Sequence, residues 1–147
     1  MVLHGPNLNL LGVREPEVYG AMTLAELDAS LVALGDALGV DVECHQENGE
    51  GALIDRLHAA RGRAVGVVIN PGGYTHTSVA IHDAIKAIDL PVVEVHLSNT
   101  YQREGFRQRS LTAAACVGAI IGLGAASYEL ALRHLVARAG APKARQG

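Results

Sequence analysis

A carboxylate and an imidazole stand two positions apart in the apolar segment PVVEVHL (91–97). If this segment is a strand, Glu94 and His96 point to the same face of the sheet. A carboxylate alone in an apolar strand carries a large desolvation cost, which a hydrogen bond to the imidazole offsets. That bond also fixes the tautomer of the histidine and raises its basicity. We therefore interpret His96 as a candidate general acid that Glu94 orients; a purely structural pair is the alternative.

A second pair of reactive side chains, Arg14 and Tyr19, lies in the loop GVREPEVYG (12–20). Arginine keeps its proton throughout the accessible pH range, and a nearby cation favours the ionised form of a phenol. Tyr19 is therefore a candidate base near neutral pH. The alternative is a mobile surface loop that carries a tyrosine packed at its root.

Two asparagines mark the ends of apolar segments: Asn7 follows MVLH, and Asn70 ends AVGVVIN (64–70). Asparagine in such loops usually makes turn hydrogen bonds, but two of them side by side could hold a water or a substrate oxygen. The Ser and Thr residues around His76 are typical of a helix cap, and we interpret His82 and Asp83 as a solvated or interface pair. Ser98 lacks the GxSxG elbow of a nucleophilic serine.

Strand and helix patterns alternate along the chain. The predicted strands are MVLH, VDVECH (40–45), AVGVVIN (64–70), PVVEVHL (91–97) and VGAIIGL (117–123). The predicted helices are TLAELDASLVALGDALG (23–39), GALIDRLHAARG (51–62), TSVAIHDAIKAID (77–89) and ASYELALRHLVARA (126–139). The first helix opens with capping-box spacing at Thr23 and Glu26. In the third helix we expect four buried positions: Val79, Ile81, Ile85 and Ile88.

This alternation predicts an α/β fold, a flavodoxin-like three-layer sandwich around a five-stranded parallel sheet in the order 2-1-3-4-5. We expect one catalytic domain over residues 1–139 and a disordered tail over 140–147, since 147 residues suit a single domain. The order brings the loops after strands 1, 3 and 4 to one rim. Ligands in such sheets bind beyond the carboxyl ends of the strands, so this rim is the predicted site.

Composition narrows the possible functions. The net charge is −3, and the chain has one Phe and no Trp, so it offers neither a basic stripe nor a stacking platform for nucleic acid. No continuous apolar run has the length of a membrane span, and MVLHGPN lacks the features of a signal peptide, so we expect a cytoplasmic protein. The two cysteines, Cys44 and Cys116, are interpreted as reduced core thiols.

Other chemistries have weaker support in the residues. A nucleotide- or flavin-binding module would need a glycine-rich phosphate loop, and a metal-dependent hydrolase built on His76, His82 and His96 would need a recognisable ligand spacing. An imine mechanism needs a lysine at the site, and the chain has two lysines. Lys86 lies within a predicted helix and Lys143 in the tail, so neither is expected at the rim. Proton removal beside a carbonyl would then pass through an enolate, which needs donors aimed at the developing oxyanion.

Four motifs in the predicted rim, GPNLNLLGVREPEVYG, INPGGYTHTSVAIHDA, VEVHLSN and EGFRQRS, together resemble type II 3-dehydroquinate dehydratase. The similarity runs from about residue 2 to about residue 138. It implies dehydration of 3-dehydroquinate to 3-dehydroshikimate by anti elimination, without metal or organic cofactor. It also implies a homododecamer, a tetramer of trimers. Aromatic biosynthesis and quinate breakdown use the same reaction, so the resemblance does not distinguish them.

The resemblance also implies catalytic roles. Tyr19 would remove a proton from C2, and Arg14 would favour its ionised form. Asn7 would help to hold the water that stabilises the enolate. His96 would protonate the departing C1 hydroxyl, with Glu94 orienting it.

Further residues match substrate-binding positions. The carboxylate and the C1 region would contact Asn70, Leu97 and Ser98, whereas the ring hydroxyls would contact His76 and Arg107. Asp83 would reach the site of a neighbouring subunit. The chain departs from the common pattern at His4, where Asn is usual, at Gly73, where Ala is usual, and in NTYQRE, next to Arg103.

Overall fold

The computed structural model describes residues 1–140, in which five strands form one parallel sheet. The strands are β1 (Val2–His4), β2 (Cys44–Gln46), β3 (Val67–Asn70), β4 (Val92–His96) and β5 (Gly118–Ile121). Their order is β2-β1-β3-β4-β5, and every pairing is parallel. The predicted α/β, flavodoxin-like fold and its strand order are confirmed. The predicted tail, apart from Gly140, lies outside the described residues.

Within residues 1–140, four helices cover the sheet: α2 (Leu24–Leu38), α3 (Glu50–Ala60), α4 (Val79–Ala87) and α5 (Ala125–Gly140). A short helix, α1 (Pro16–Tyr19), lies in the loop after β1. Successive strand residues face opposite sides of a sheet, so Val2 packs with α2 and α5 while Leu3 packs with α3 and α4. The result is three layers with a hydrophobic core on each face of the sheet.

The start of α2 has the predicted capping box. The Thr23 hydroxyl accepts the Glu26 N–H at 3.2 Å, and the Glu26 carboxylate accepts the Thr23 N–H at 2.9 Å. Gly39 ends the helix with φ 78°, in the left-handed region that glycine occupies without strain. Both ends of α2 are therefore specified locally by the sequence.

Two strands, β2 and β3, begin four and three residues later than predicted, because the chain first makes a turn after the preceding helix. The Val40 N–H bonds back to the Gly35 carbonyl at 3.0 Å, and the Ala64 N–H bonds back to the Ala60 carbonyl at 2.9 Å. The chain therefore joins the sheet after these turns, at Cys44 in β2 and at Val67 in β3. The apolar, β-branched sequence does not show that the strand begins later, because hydrogen bonds between backbone groups form the turn.

The expected burial of Val79 is wrong. This side chain is 62% exposed, whereas Ile81, Ile85 and Ile88 are buried as predicted. Val79 is the first residue of α4, where the helix has not yet packed against the sheet.

By length and composition alone, the segment Pro16–Leu38 could cross a membrane: it spans 23 residues with a mean hydropathy of 1.2. The structure divides it into two helices, because Gly20 has φ 84° and Thr23 caps a new helix. Leu27 and Leu31 of α2 are fully buried in the core beneath the sheet. The apolar face of α2 is thus used in packing.

The loops after β1 and β3 run against each other at the carboxyl edge of the sheet. A Cβ atom on Gly5 would lie 2.6 Å from the Pro71 carbonyl carbon and 2.8 Å from the Asn70 carbonyl oxygen. Only glycine fits this crossing, so Gly5 sets the distance between the two loops that frame the predicted rim.

Candidate active site

A cavity of 170 Å³ opens over the carboxyl ends of β1, β3 and β4. Its lining includes eight of the predicted site residues: Asn7, Arg14, Tyr19, Asn70, His96, Leu97, Ser98 and Arg107. These residues come from separate loops, and the strand order brings the loops together. The cavity therefore lies where the sequence predicts a site.

Glu94 and His96 form a pair whose carboxylate has several donors. Glu94 is fully buried, and its Oε2 lies 3.5 Å from Nε2 of His96. Thr75 donates to Oε1 at 2.8 Å and Ser110 donates to Oε2 at 2.8 Å, while the Thr112 hydroxyl also donates to Oε1. Both carboxylate oxygens are satisfied, and His96 is held with its ring at the cavity.

Competing effects set the pKa of Glu94. Burial raises the pKa, but the hydrogen bond and charge of His96, together with the Thr112 and Ser110 hydroxyls, outweigh burial and lower it. Glu94 is therefore ionised at neutral pH, so it can orient His96 by accepting its ring N–H.

Tyr19 lies between two guanidinium groups. Nη1 of Arg103 donates a hydrogen bond of 2.8 Å to the Tyr19 hydroxyl. The Cζ atoms of Arg103 and Arg14 lie 5.3 and 5.4 Å from the centre of the Tyr19 ring. Arg14 also forms an ion pair of 3.4 Å with Glu15. The cation bonded to the phenol oxygen is thus Arg103, whereas the sequence suggested Arg14, which lies over the ring.

The loop that carries Tyr19 is shaped by local backbone chemistry. Glu15 has φ 40° and Gly20 has φ 84°, so the backbone has positive φ at both ends of the short helix α1. Pro16 occupies the first turn of α1, where its missing N–H costs nothing. Tyr19 is consequently turned inward and packs half-buried against the core beside α2.

The two predicted asparagines differ in their surroundings. Asn70 is 4% exposed, and its Oδ1 accepts the Gly72 N–H at 3.1 Å. Asn7 is exposed with φ 70°, and its backbone N–H donates to Oδ1 of Asn48 at 3.0 Å. Asn70 is therefore fixed in the floor of the cavity, while Asn7 lies at its rim.

Some predicted residues lie outside this cavity. His76 lines a neighbouring cavity of 110 Å³, which also contacts Glu94, His96 and Arg107. Its Nδ1 lies 2.7 Å from the Arg109 carbonyl.

Asp83 is exposed on α4 and is absent from the lining of both cavities. Beside it, His82 Nδ1 lies 2.7 Å from the Leu111 carbonyl. The structure therefore separates Asp83 from the other predicted site residues of the same chain.

Sequence reasoning missed Arg103 and the hydroxyl groups around Glu94. Arg103 stands in a segment with two further arginines, and nothing in the spacing selects it. Thr75, Ser110 and Thr112 come from two distant segments that meet only in the folded chain. A buried carboxylate nevertheless requires hydrogen-bond donors. The hydroxyl side chains in THTS (75–78) and RSLT (109–112) were the sequence signal that could have identified these donors.

One group of potential metal ligands lies beneath the cavity among residues 1–140: His4, Asp28 and Cys44, with ligand atoms within 4.8 Å of one another. His4 Nε2 is already 2.7 Å from Asp28 Oδ1. Burial, and then the charge of Asp28, raise the pKa of the Cys44 thiol to about 12. Burial and the neighbouring carboxylate thus disfavour the thiolate of Cys44, while His4 and Asp28 are paired with each other.

Comparisons with known proteins identify the family. The family model described as dehydroquinase class II matches residues 1–136. The 3-dehydroquinate dehydratase of Geotalea daltonii is 56% identical over 135 residues, covering 92% of this chain and 94% of that protein. That of Desulforudis audaxviator is 57% identical over 136 residues, covering 92% and 91% of the two chains.

A solved structure shows the same similarity. The crystal structure of type II dehydroquinase from Propionibacterium acnes has a TM-score of 0.89 and 44% identity, with coverage of 92% of this chain and 94% of that one. Sequence and three-dimensional similarity extend over nearly the whole described chain, including the loops that line the cavity. The chain belongs to the dehydroquinase class II family.

Proposed function

We propose that this chain dehydrates 3-dehydroquinate to 3-dehydroshikimate by anti elimination through an enolate. Relatives named 3-dehydroquinate dehydratase support the substrate. One observation carries the mechanism: a phenol that accepts a hydrogen bond from a guanidinium and an imidazole 3.5 Å from a buried carboxylate line the same cavity. These are a candidate base and a candidate acid within reach of one ligand.

Tyr19 is the base in this proposal. Its phenolate takes the proton from C2, and the electron pair moves onto the ketone oxygen to form the enolate. The Arg103 guanidinium donates to the phenol oxygen at 2.8 Å, and the Arg14 guanidinium lies over the ring, so two positive charges stand beside the candidate base. Asn7, at the rim, helps to hold a water that donates to the enolate oxygen.

His96 is the acid. As the enolate reforms the ketone, the C1–C2 double bond forms, and the C1 hydroxyl leaves with the proton that His96 gives it, as water. The carboxylate of Glu94, 3.5 Å from Nε2, orients the ring that gives up this proton. One proton returned from Tyr19 to His96 through solvent restores the starting state.

The remaining cavity residues bind the substrate. The carboxylate and C1 region contact the side chain of Asn70 and the segment Leu97–Ser98. Arg107 lines both cavities, so it and His76 bind the ring hydroxyls where the two cavities meet. Removing the carboxylate-binding contacts should raise KM more than it lowers kcat, since they act alike in ground and transition states.

The proposal also covers the oligomeric state of the protein. We expect residues 1–139 to act as one catalytic domain in a cytoplasmic homododecamer. The exposed side chain of Asp83 would then reach a neighbouring site. Light scattering should give the mass of twelve chains of 15.3 kDa. A monomer that turns over the substrate at full rate would contradict this part.

The two chemical steps can be separated experimentally. Purified protein should convert 3-dehydroquinate to a product with new enone absorbance, with and without a strong chelator. His96→Ala should lose this turnover but still exchange the C2 proton with deuterated solvent, because Tyr19 is intact. His58→Ala, which alters an exposed histidine on α3, is the control. Loss of exchange in a folded His96→Ala protein would contradict the assignment.

A further inference from the structure

Two side chains from the end of β2 and the loop after it bond to the loop after β1, which carries Asn7. The pairing of β1 with β2 ends at His4 and Gln46. Beyond that point, Nε2 of Gln46 donates to the Gly5 carbonyl at 3.1 Å, and Oδ1 of Asn48 accepts the Asn7 N–H at 3.0 Å. The contact between the two segments thus continues past the ends of the strands and reaches the rim of the cavity.

Backbone groups fix the orientation of both side-chain amides. The Gly5 carbonyl only accepts, so the nitrogen of the Gln46 amide lies beside it. The same nitrogen donates to Oδ1 of Asn48 at 2.9 Å, and the Asn7 N–H donates to that oxygen as well. A flipped Asn48 amide would place its nitrogen against two donors. The oxygen of Asn48 therefore faces Asn7.

The backbone of Asn7 is held at both of its polar groups. Its φ of 70° lies in the left-handed region, which few residues other than glycine adopt. Its carbonyl accepts the Leu10 N–H at 3.0 Å within a short turn, and its N–H is bonded to Asn48. Within residues 1–140, the Asn7 side chain makes no capping bond to this turn. The backbone is thus fixed, while the side chain is left for the cavity that Asn7 lines.

The segment after β3 contacts the same loops at other atoms. The Asn70 carbonyl accepts the Gly5 N–H at 2.7 Å, and the Tyr74 hydroxyl donates to the backbone carbonyl of Asn48 at 2.8 Å. The contact of Tyr74 involves the main chain of Asn48, so removing it leaves the side-chain acceptor in place. The bond between Asn48 and Asn7 can therefore be tested separately from the anchoring of the loop.

We propose that Asn48 is a positioning residue: its side-chain oxygen, oriented by Gln46, fixes the backbone of Asn7 and thereby keeps the Asn7 side chain at the cavity. The part that Asn7 plays at the enolate rests on the proposed function, whereas the hydrogen bonds rest on the geometry of these residues.

Two acidic substitutions should have opposite effects. Asn48→Leu removes the acceptor from an exposed position and should lower kcat roughly 2- to 10-fold, the range for one net hydrogen bond. The loss falls on kcat because Asn7 acts on the enolate in the proposed mechanism. Asn48→Asp should keep kcat, since its carboxylate can accept from both donors. Gln46→Glu should lower kcat, since its carboxylate cannot donate and would face two acceptors, the Gly5 carbonyl and Oδ1 of Asn48.

A double variant separates positioning from a merely structural role. Asn7→Gly removes the side chain at a position where glycine adopts the positive φ without strain. In that background Asn48→Leu should not lower kcat further, because no side chain remains to be positioned. Tyr74→Phe is the matched control, since it removes a bond to the main chain of Asn48 and should keep kcat.

A second readout does not depend on turnover. The backbone amide of Asn7, observed by NMR in ¹⁵N-labelled protein, should exchange with solvent roughly 2- to 10-fold faster in Asn48→Leu. Its exchange should be unchanged in Asn48→Asp and in Tyr74→Phe. If the wild type does not turn over 3-dehydroquinate, the proposed function fails, and the exchange rates still decide whether Asn48 holds Asn7. If Asn48→Leu does not fold, Gln46→Glu, which has nearly the size of the natural side chain, decides it.

Four results would overturn the proposal. The first is a kcat in Asn48→Leu equal to that of the wild type or of Asn48→Asp. The second is a kcat in the double variant that falls by the product of the two single losses. The third is a loss in Tyr74→Phe as large as that in Asn48→Leu. The fourth is an exchange rate of the Asn7 amide that Asn48→Leu does not raise.

Discussion

Replacing Arg103 by leucine removes the donor that the structure places on the candidate base. Arg103 is half-buried, and its Nη1 lies 2.8 Å from the Tyr19 hydroxyl. Arg14 remains over the ring at 5.4 Å, so the variant loses the hydrogen bond and one of the two nearby positive charges. We expect the protein to fold normally, because the arginine lies at the cavity and not in either hydrophobic core.

The size of the effect follows from the type of contact. A hydrogen bond to a charged group contributes about 1.5–3 kcal/mol. At about 1.36 kcal/mol for each factor of ten, its loss from the transition state lowers kcat/KM by roughly 10- to 150-fold. Arg103→Lys keeps the charge without the planar donor fork, so its loss should be smaller.

The assay is turnover of 3-dehydroquinate, followed by enone absorbance. Arg109→Leu is the matched control, because Arg109 is an exposed arginine in the same segment. Its contact with His76 is made by the backbone carbonyl, which the substitution keeps. Guanidinium ions added to Arg103→Ala should restore part of the rate. If Arg103→Leu were as active as Arg109→Leu, the hydrogen bond to Tyr19 would have no role in catalysis.

Further predictions concern stability. Thr112→Val removes a hydroxyl donor from the buried Glu94 carboxylate and should lower the free energy of unfolding in urea by about 1.5–3 kcal/mol; the exposed Thr77→Val should not. The pKa of Glu94 is lowered in the folded protein, so its contribution is complete above the ordinary value of 4.5 and is lost as the pH falls below it. Urea midpoints should therefore fall less steeply with acid in Glu94→Gln, and parallel curves would contradict this. Gly5→Ala places a Cβ 2.6 Å from Pro71 and should cost about 1–3 kcal/mol or more. Gly51→Ala, with open space around its Cβ, should not lower the melting temperature.

The parts of the fold that follow from local sequence were predictable. Alternating strands and helices gave the sheet order, and the i, i+2 spacing of Glu94 and His96 placed both on one face of β4. The capping box at Thr23 fixed the start of α2. These features depend on neighbours within a few positions, so they can be read without knowing the fold.

Contacts between distant segments were not predictable. Tyr19 and Arg103 are 84 positions apart, and the sequence offered Arg14 as the nearer cation. The contact forms because the loop after β1 and the loop after β4 line the same cavity, which no local pattern encodes. The hydroxyls of Thr75 and Thr112 likewise reach Glu94 only once α4 and β4 have packed.

Catalysis by Tyr19 is the central claim, and Tyr19→Phe tests it most directly because only one oxygen is removed. Turnover of 3-dehydroquinate should fall by roughly 10²–10⁴-fold, the usual contribution of a positioned base, while the circular dichroism spectrum stays unchanged. Tyr74→Phe, whose hydroxyl donates to the Asn48 carbonyl and lines neither cavity, should keep full activity. A folded Tyr19→Phe protein with turnover close to that of Tyr74→Phe would contradict the account.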